Sequence, residues 1–208
     1  RAELFRNVYF HRSVRGIDIA LADVFARSMP LLFPGNPREH LSEYLQFTES
    51  SLLVDVSRWQ QESGEKGELG AEWQNIIQRR IPWVMVCQRT MTFDEGDSEA
   101  SSIFTDQEFV EKRLRSFLPE SLRNLELRID IARHIFRPRV QGPVTGQNYL
   151  FDSATDTIRT LTSHELVDRQ PVAQRICRVY ARDQQHQSIL ADALQQLSGH
   201  GEDDLTNM

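Results

Sequence analysis

The sequence predicts an α+β fold. A helical first part runs over about residues 1–80. A small mixed α/β C-terminal lobe with an antiparallel hairpin follows over about 81–198, and a flexible tail closes the chain at 199–208. Three observations predict this. Apolar residues near the start recur mostly three, four or seven apart, the spacing of one helix face. After Pro82 the chain turns rich in apolar and β-forming residues. Further on, "NYLFD" and "TIRTL" flank "SATD" as two strands flank a hairpin loop.

Taken in order, residues 1–29 read as one long amphipathic helix, with Leu4, Val8, Ile17, Leu21, Val24 and Phe25 as its buried stripe. It opens without a Ser, Thr, Asp or Asn cap. "PLLFPGNPREHLSEYLQF" breaks and restarts the helix. Pro34-Gly35 makes a turn, Asn36 is an N-cap, and Pro37 takes the first helical position. Thr48 caps "ESSLLVDVSRWQQ", which ends in the acidic and flexible "ESGEKGELG". "AEWQNIIQRR" forms a short helix with Trp73, Ile76 and Ile77 on one side.

"WVMVCQRTMTF" reads as a strand, and "DEGDSEASS" as a polar loop. Thr105 and Glu108 form a capping box for "DQEFVEKRLRSFL", which Pro119 stops. "ELRIDIARHIF" and "AQRICRVYAR" are strands, the hairpin lies between them, and "DQQHQSILADALQQL" is a last helix.

Composition bounds the function classes. At 208 residues, 39% hydrophobic and 26% charged, the chain buries a core as an ordinary soluble domain. No window approaches the roughly 18 apolar residues of a membrane span. Cys87 and Cys177 are far apart in apolar runs, which suits buried thiols in a reducing, cytoplasmic compartment. The net charge of −6 argues against generic polyanion binding. Acidic residues cluster in "ESGEKGE", "DEGDSE" and "GEDD", leaving arginines at 137–139 and 175–182 for local phosphate contacts or ordinary salt bridges.

A complete catalytic constellation is missing. The six histidines show no metal-ligand spacing, and "HELVD" from His164 lacks the second histidine of a zincin helix. Phosphate-loop and nucleophile-elbow patterns are absent, and "QGPVTGQ" at 141–147 needs only a loop to explain it. Arg1 precedes Tyr9 by eight residues, a little over two helical turns, so the two share roughly one side. A guanidinium and a phenol there can clamp a phosphate and pack on a sugar. Tyr9 as a core aromatic with its hydroxyl at the rim, and Arg1 as a frayed terminal residue, fit the same pattern.

"LFRNVYFHRSVRGIDIALADVF" resembles the helix that follows the catalytic core in HD-domain deoxynucleoside triphosphate triphosphohydrolases, where an arginine precedes "Y-x-H-[KR]" and a long apolar helix. The resemblance is strong over residues 1–60, where "LSEYLQFTESSLLVDVSRW" continues it. It is looser after 145, where "YLFDSATDTIRTL" and "ICRVYAR" resemble a hairpin leading to an "I-R-V-Y" strand. It implies that the helical part continues an all-α HD core whose His, His-Asp and Asp metal ligands lie upstream of Arg1. The chain would then be the C-terminal part of a longer protein.

Arg1 aligns with the family's phosphate-contacting arginine, and Tyr9 with the tyrosine that packs on deoxyribose and excludes a 2′-hydroxyl. His11 and Arg12 align with a His-Lys pair near a regulatory nucleotide site at an oligomer interface. Phe5 and Phe10 depart from the His and Gln of the mammalian members.

The implied activity is dNTP hydrolysis to deoxynucleoside and triphosphate by water activated on a divalent metal of the parent core, with Mg, Mn, Fe and Zn indistinguishable. The implied partners are a nucleotide, the HD core and further copies of the chain. A regulatory or assembly module, or a nucleic-acid-binding module, is the alternative.

Overall fold

A computed structural model describes residues 4–33, 35–93, 102–135, 149–160 and 173–198. Helices come first, followed by a three-stranded antiparallel sheet with flanking helices. A π-helical turn, Phe5–Tyr9, precedes α1 (Arg12–Leu32), α2 (Leu41–Gln46), α3 (Glu49–Arg58) and α4 (Glu65–Ile77). Then come β1 (Val84–Phe93), α5 (Gln107–Phe117), β2 (Leu127–Ile135), the hairpin β3 (Tyr149–Asp152) and β4 (Thr157–Thr160), β5 (Ala173–Ala181), and α6 (Gln187–Ser198). The central strand is β5, flanked by β1 and β2.

Several sequence expectations are corrected. The helix expected over 1–29 breaks at Phe10–His11, and α1 runs on through Pro30 to Leu32. Its buried stripe is Gly16, Ala20, Val24 and Ser28, four residues apart, whereas Leu4, Val8 and Leu21 face outward. Small residues go inward because the helix lies close to its neighbours. A methyl at Gly16 would sit 3.4 Å from both the Trp83 carbonyl oxygen and the Tyr180 ring. Asn36 does not begin a helix. Its side chain accepts from the Arg38 amide in a local turn, and α2 starts only at Leu41.

The stretch expected to be flexible, "ESGEKGELG", is mostly the first half of α4. Gly64, at φ 69°, caps it in a backbone region that favours glycine. Gly67 and Gly70 permit close approach: a methyl on Gly70 would meet Gln60 N at 2.6 Å, and one on Gly67 would meet Glu62 O at 2.3 Å. Asp106, rather than Thr105, caps α5, accepting from the Glu108 and Phe109 amides. Thr48 caps α3 as expected, with Ser51 completing a reciprocal box. The hairpin also forms as expected, pairing Tyr149 with Thr160 and Phe151 with Ile158.

Among the described residues, three apolar clusters hold the fold. Val24, Val56, Trp59, Leu69 and Trp73 unite the helices, and the Trp73 indole donates to the buried Ser28 hydroxyl at 2.8 Å. Val86, Leu127, Ile129, Cys177 and Val179 on one face of the sheet pack against Val110 and Leu114 of α5 and Leu190 and Leu194 of α6. Each fully buried leucine contributes about 1.5–3 kcal/mol. On the other face, Ala20 of α1, Trp83 and Tyr180 join helices to sheet.

Candidate functional site

The helix break lies over the second face of the sheet. In the π turn, the Phe10 amide donates to the Phe5 carbonyl at 2.8 Å, five residues back. Phe10 then leaves helical geometry (φ −103°, ψ 17°) and His11 is extended (φ −61°, ψ 134°). His11 supplies the missing cap itself, its Nδ1 accepting from the Ser13 amide at 3.3 Å.

The break turns Tyr9 outward, 55% exposed, with its ring 5.1 Å from that of Phe5. Phe5 stacks on the buried His134 of β2 at 4.3 Å, and Phe10 meets the same imidazole edge-on at 6.2 Å. An exposed phenol therefore stands on an aromatic base anchored to the sheet.

Beneath the break, Gln88, Arg178 and Asp130 lie opposite one another on adjacent strands. Arg178 is fully buried. Its Nε donates to Gln88 at 3.1 Å, its Nη1 to Asp130 at 3.5 Å, and its Nη2 to the Phe10 carbonyl at 2.6 Å. Arg15 of α1 closes the group, its Nε donating to both Asp130 oxygens at 3.1 Å. Hydrogen bonding to Asp130 raises the Arg15 pKa, while burial lowers that of Arg178. Two residues along β5, the Tyr180 hydroxyl donates to the Arg12 carbonyl at 2.8 Å, and burial raises its pKa. A buried pair of this kind is costly to break from one side, because the remaining charge is stranded.

Beside the break, Arg12, Ser13, Trp83, Val84, Met85 and Gln184 line an open cavity of about 310 Å³. The Trp83 ring has Arg128 4.8 Å and Arg182 4.0 Å from its centroid. Arg182 is bonded in turn to Glu126, whose pKa this lowers.

Of the residues singled out in the sequence, Arg1 lies outside the described residues, as do His164 and the 141–147 loop. Tyr9 is at the surface, His11 is the internal cap, and Arg12 lines the cavity. They fall in one short segment, but on two sides of a break rather than along one helix face. Sequence reasoning missed Arg15, Asp130, Arg178, Tyr180 and His134. The available signal was the charge embedded in apolar strands, Asp130 between Ile129 and Ile131 and Arg178 between Cys177 and Val179.

Among the described residues no three His, Cys, Asp or Glu side chains come together as a metal site. Among them, too, no helix is long and apolar enough to cross a membrane. No protein-family model matches the chain, and no curated protein matches it significantly.

Proposed function

We propose that this chain forms the substrate-contacting and assembly portion of an HD-family phosphohydrolase that converts dNTPs to deoxynucleoside and triphosphate. The observation that carries this reading is the presentation of Tyr9. The exposed phenol sits on the Phe5–Phe10–His134 cluster at a helix break whose backbone is bonded to the sheet. A phenol held in this way can pack on a sugar; that it also excludes a 2′-hydroxyl is what the family resemblance implies.

In this role Tyr9 contacts the sugar and Arg1 the phosphates, while His11 and Arg12 serve a regulatory nucleotide. The divalent metal belongs to the HD core of the same protein, outside these 208 residues. Tyr149, Phe151 and Ile158 of the hairpin are each about two-thirds exposed, an apolar face that supports contact between copies of the chain. Two free thiols, one buried and one half-buried, agree with a reducing cytoplasm.

The test is to incubate the full-length protein containing this segment with each dNTP and Mg²⁺, Mn²⁺, Fe²⁺ or Zn²⁺, and to resolve the products by ion-exchange chromatography. Released triphosphate is expected, with Tyr9→Ala lowering kcat/KM by about 10–100-fold. Intact dNTPs under every metal would sink the reading.

A further inference from the structure

We propose that Arg178 and Tyr180 are positioning residues for Tyr9 and His11, holding the backbone on both sides of the helix break. This rests on the assignment of Tyr9 as a nucleotide contact.

The geometry is a match of spacings. Arg178 and Tyr180 are two residues apart on one face of β5, so their side chains emerge about 7 Å apart. Their targets, the carbonyls of Phe10 and Arg12, are also two residues apart and flank His11. The Phe10 carbonyl precedes the cap of α1 and stands outside the helical ladder, so a side-chain donor is its partner.

Arg178 is itself fixed before it reaches the break. Gln88 from β1 and Asp130 from β2 hold two sides of its guanidinium, and Arg15 from α1 holds Asp130. A planar guanidinium held at both Nε and Nη1 has little freedom of aim. Any shift of β5 relative to β1 or β2 is therefore passed to Phe10, and through it to the adjacent Tyr9. Apolar packing would fill the same space without specifying where the carbonyl sits, whereas charge-assisted bonds in a buried site are directional. Tyr180 adds the second point of hold. Two points fix the orientation of the segment as well as its place.

The experiment uses the full-length protein with Arg178→Lys and Tyr180→Phe, the second of which keeps the ring and removes only the hydroxyl. Backbone hydrogen exchange over residues 8–14 is measured with residues 49–77 as internal reference. kcat and KM are measured for a dNTP and its ribonucleotide. Tyr180→Phe is expected to speed exchange over 8–14 and to lower dNTP kcat/KM, each on the order of tenfold. Arg178→Lys should do both more strongly. In both variants the preference for dNTP over the ribonucleotide narrows and exchange over 49–77 is unchanged.

Unchanged exchange over 8–14, or unchanged kinetics and sugar preference in an active protein, would overturn the positioning role alone. Equal loss of protection over 49–77 would also overturn it, since the effect would then be global. A wild type that turns over no dNTP removes the nucleotide assignment and this role with it. The exchange data would still report whether the sheet holds the break.

Discussion

The two faces of the three-stranded sheet are built on opposite principles. Toward α5 and α6, Val86, Leu127, Ile129, Cys177 and Val179 meet Val110, Leu114, Leu190 and Leu194 in an apolar layer. Toward α1 and the π turn, the same strands carry Gln88, Asp130, Arg178, Tyr180 and His134. The first face gains stability roughly in proportion to area buried, and tolerates changes that conserve volume. The second depends on each donor finding its acceptor, and a single loss strands a charge. Strand alternation allows both in one sheet: one face is an apolar layer, and the other adds to its smaller apolar cluster a polar group that fixes a backbone segment.

Substitutions can break this comparison. Asp130→Ala should be the most damaging, costing about 3–5 kcal/mol in denaturant unfolding because Arg178 and Arg15 lose their carboxylate together. Arg178→Met combined with Asp130→Leu should cost less than Asp130→Ala alone, since the fully buried Arg178 charge is then gone and the partly exposed Arg15 keeps Asp18. A double variant worse than the single one would show that the Phe10 bond, not the ion pair, dominates. On the apolar face, Leu194→Ala is expected to cost about 2–5 kcal/mol by leaving a cavity. Leu194→Met should cost under about 1.5 kcal/mol, a tolerance the polar face lacks.

A smaller effect concerns the break itself. His11→Ala removes the internal cap of α1 and should cost about 1 kcal/mol, with faster amide exchange confined to the first turn of that helix. Loss spread along all of α1 would mean that the cap organises more than the terminus.

The thiols sharpen the apolar side. Burial pushes Cys87 up to about 12. Its neutral form is favoured in the fold, so this contribution is complete below the ordinary thiol pKa and is lost as pH rises through about 12. Stability measured from pH 8 to 11 should therefore fall in the wild type and fall less steeply in Cys87→Ala. Parallel curves would show that other groups control the alkaline side.

How much of this was legible in the sequence depended on whether the signal was local. Thr48 and the hairpin were readable because a cap and a tight turn are decided by residues a few positions apart. The α+β class was readable from periodicity and β-forming runs. The break at Phe10–His11 was hidden, because an apolar pattern runs through it and the cap is a histidine. Glycines in "ESGEKGELG" looked like flexibility, but two of them are spaces for the Trp59–Glu62 backbone, which only the packed fold shows. The pairing of Arg178 with Phe10 spans 168 residues, and no local pattern encodes it. Tyr9 stood out in the sequence, whereas the residues that hold its backbone did not.

The placement of the three tryptophans has an optical consequence. Trp59 and Trp73 lie in the helical cluster and Trp83 at the junction, cradled by two arginines, while the apolar layer against α5 and α6 contains none. Indole emission during unfolding will follow the helices and the junction, and that layer will come apart in the dark. In a Cys87→Ala background, a thiol-reactive dye that labels the fully buried Cys177 only once that layer opens gives the missing channel. The difference in midpoint between dye and tryptophan would time the two faces of the sheet separately.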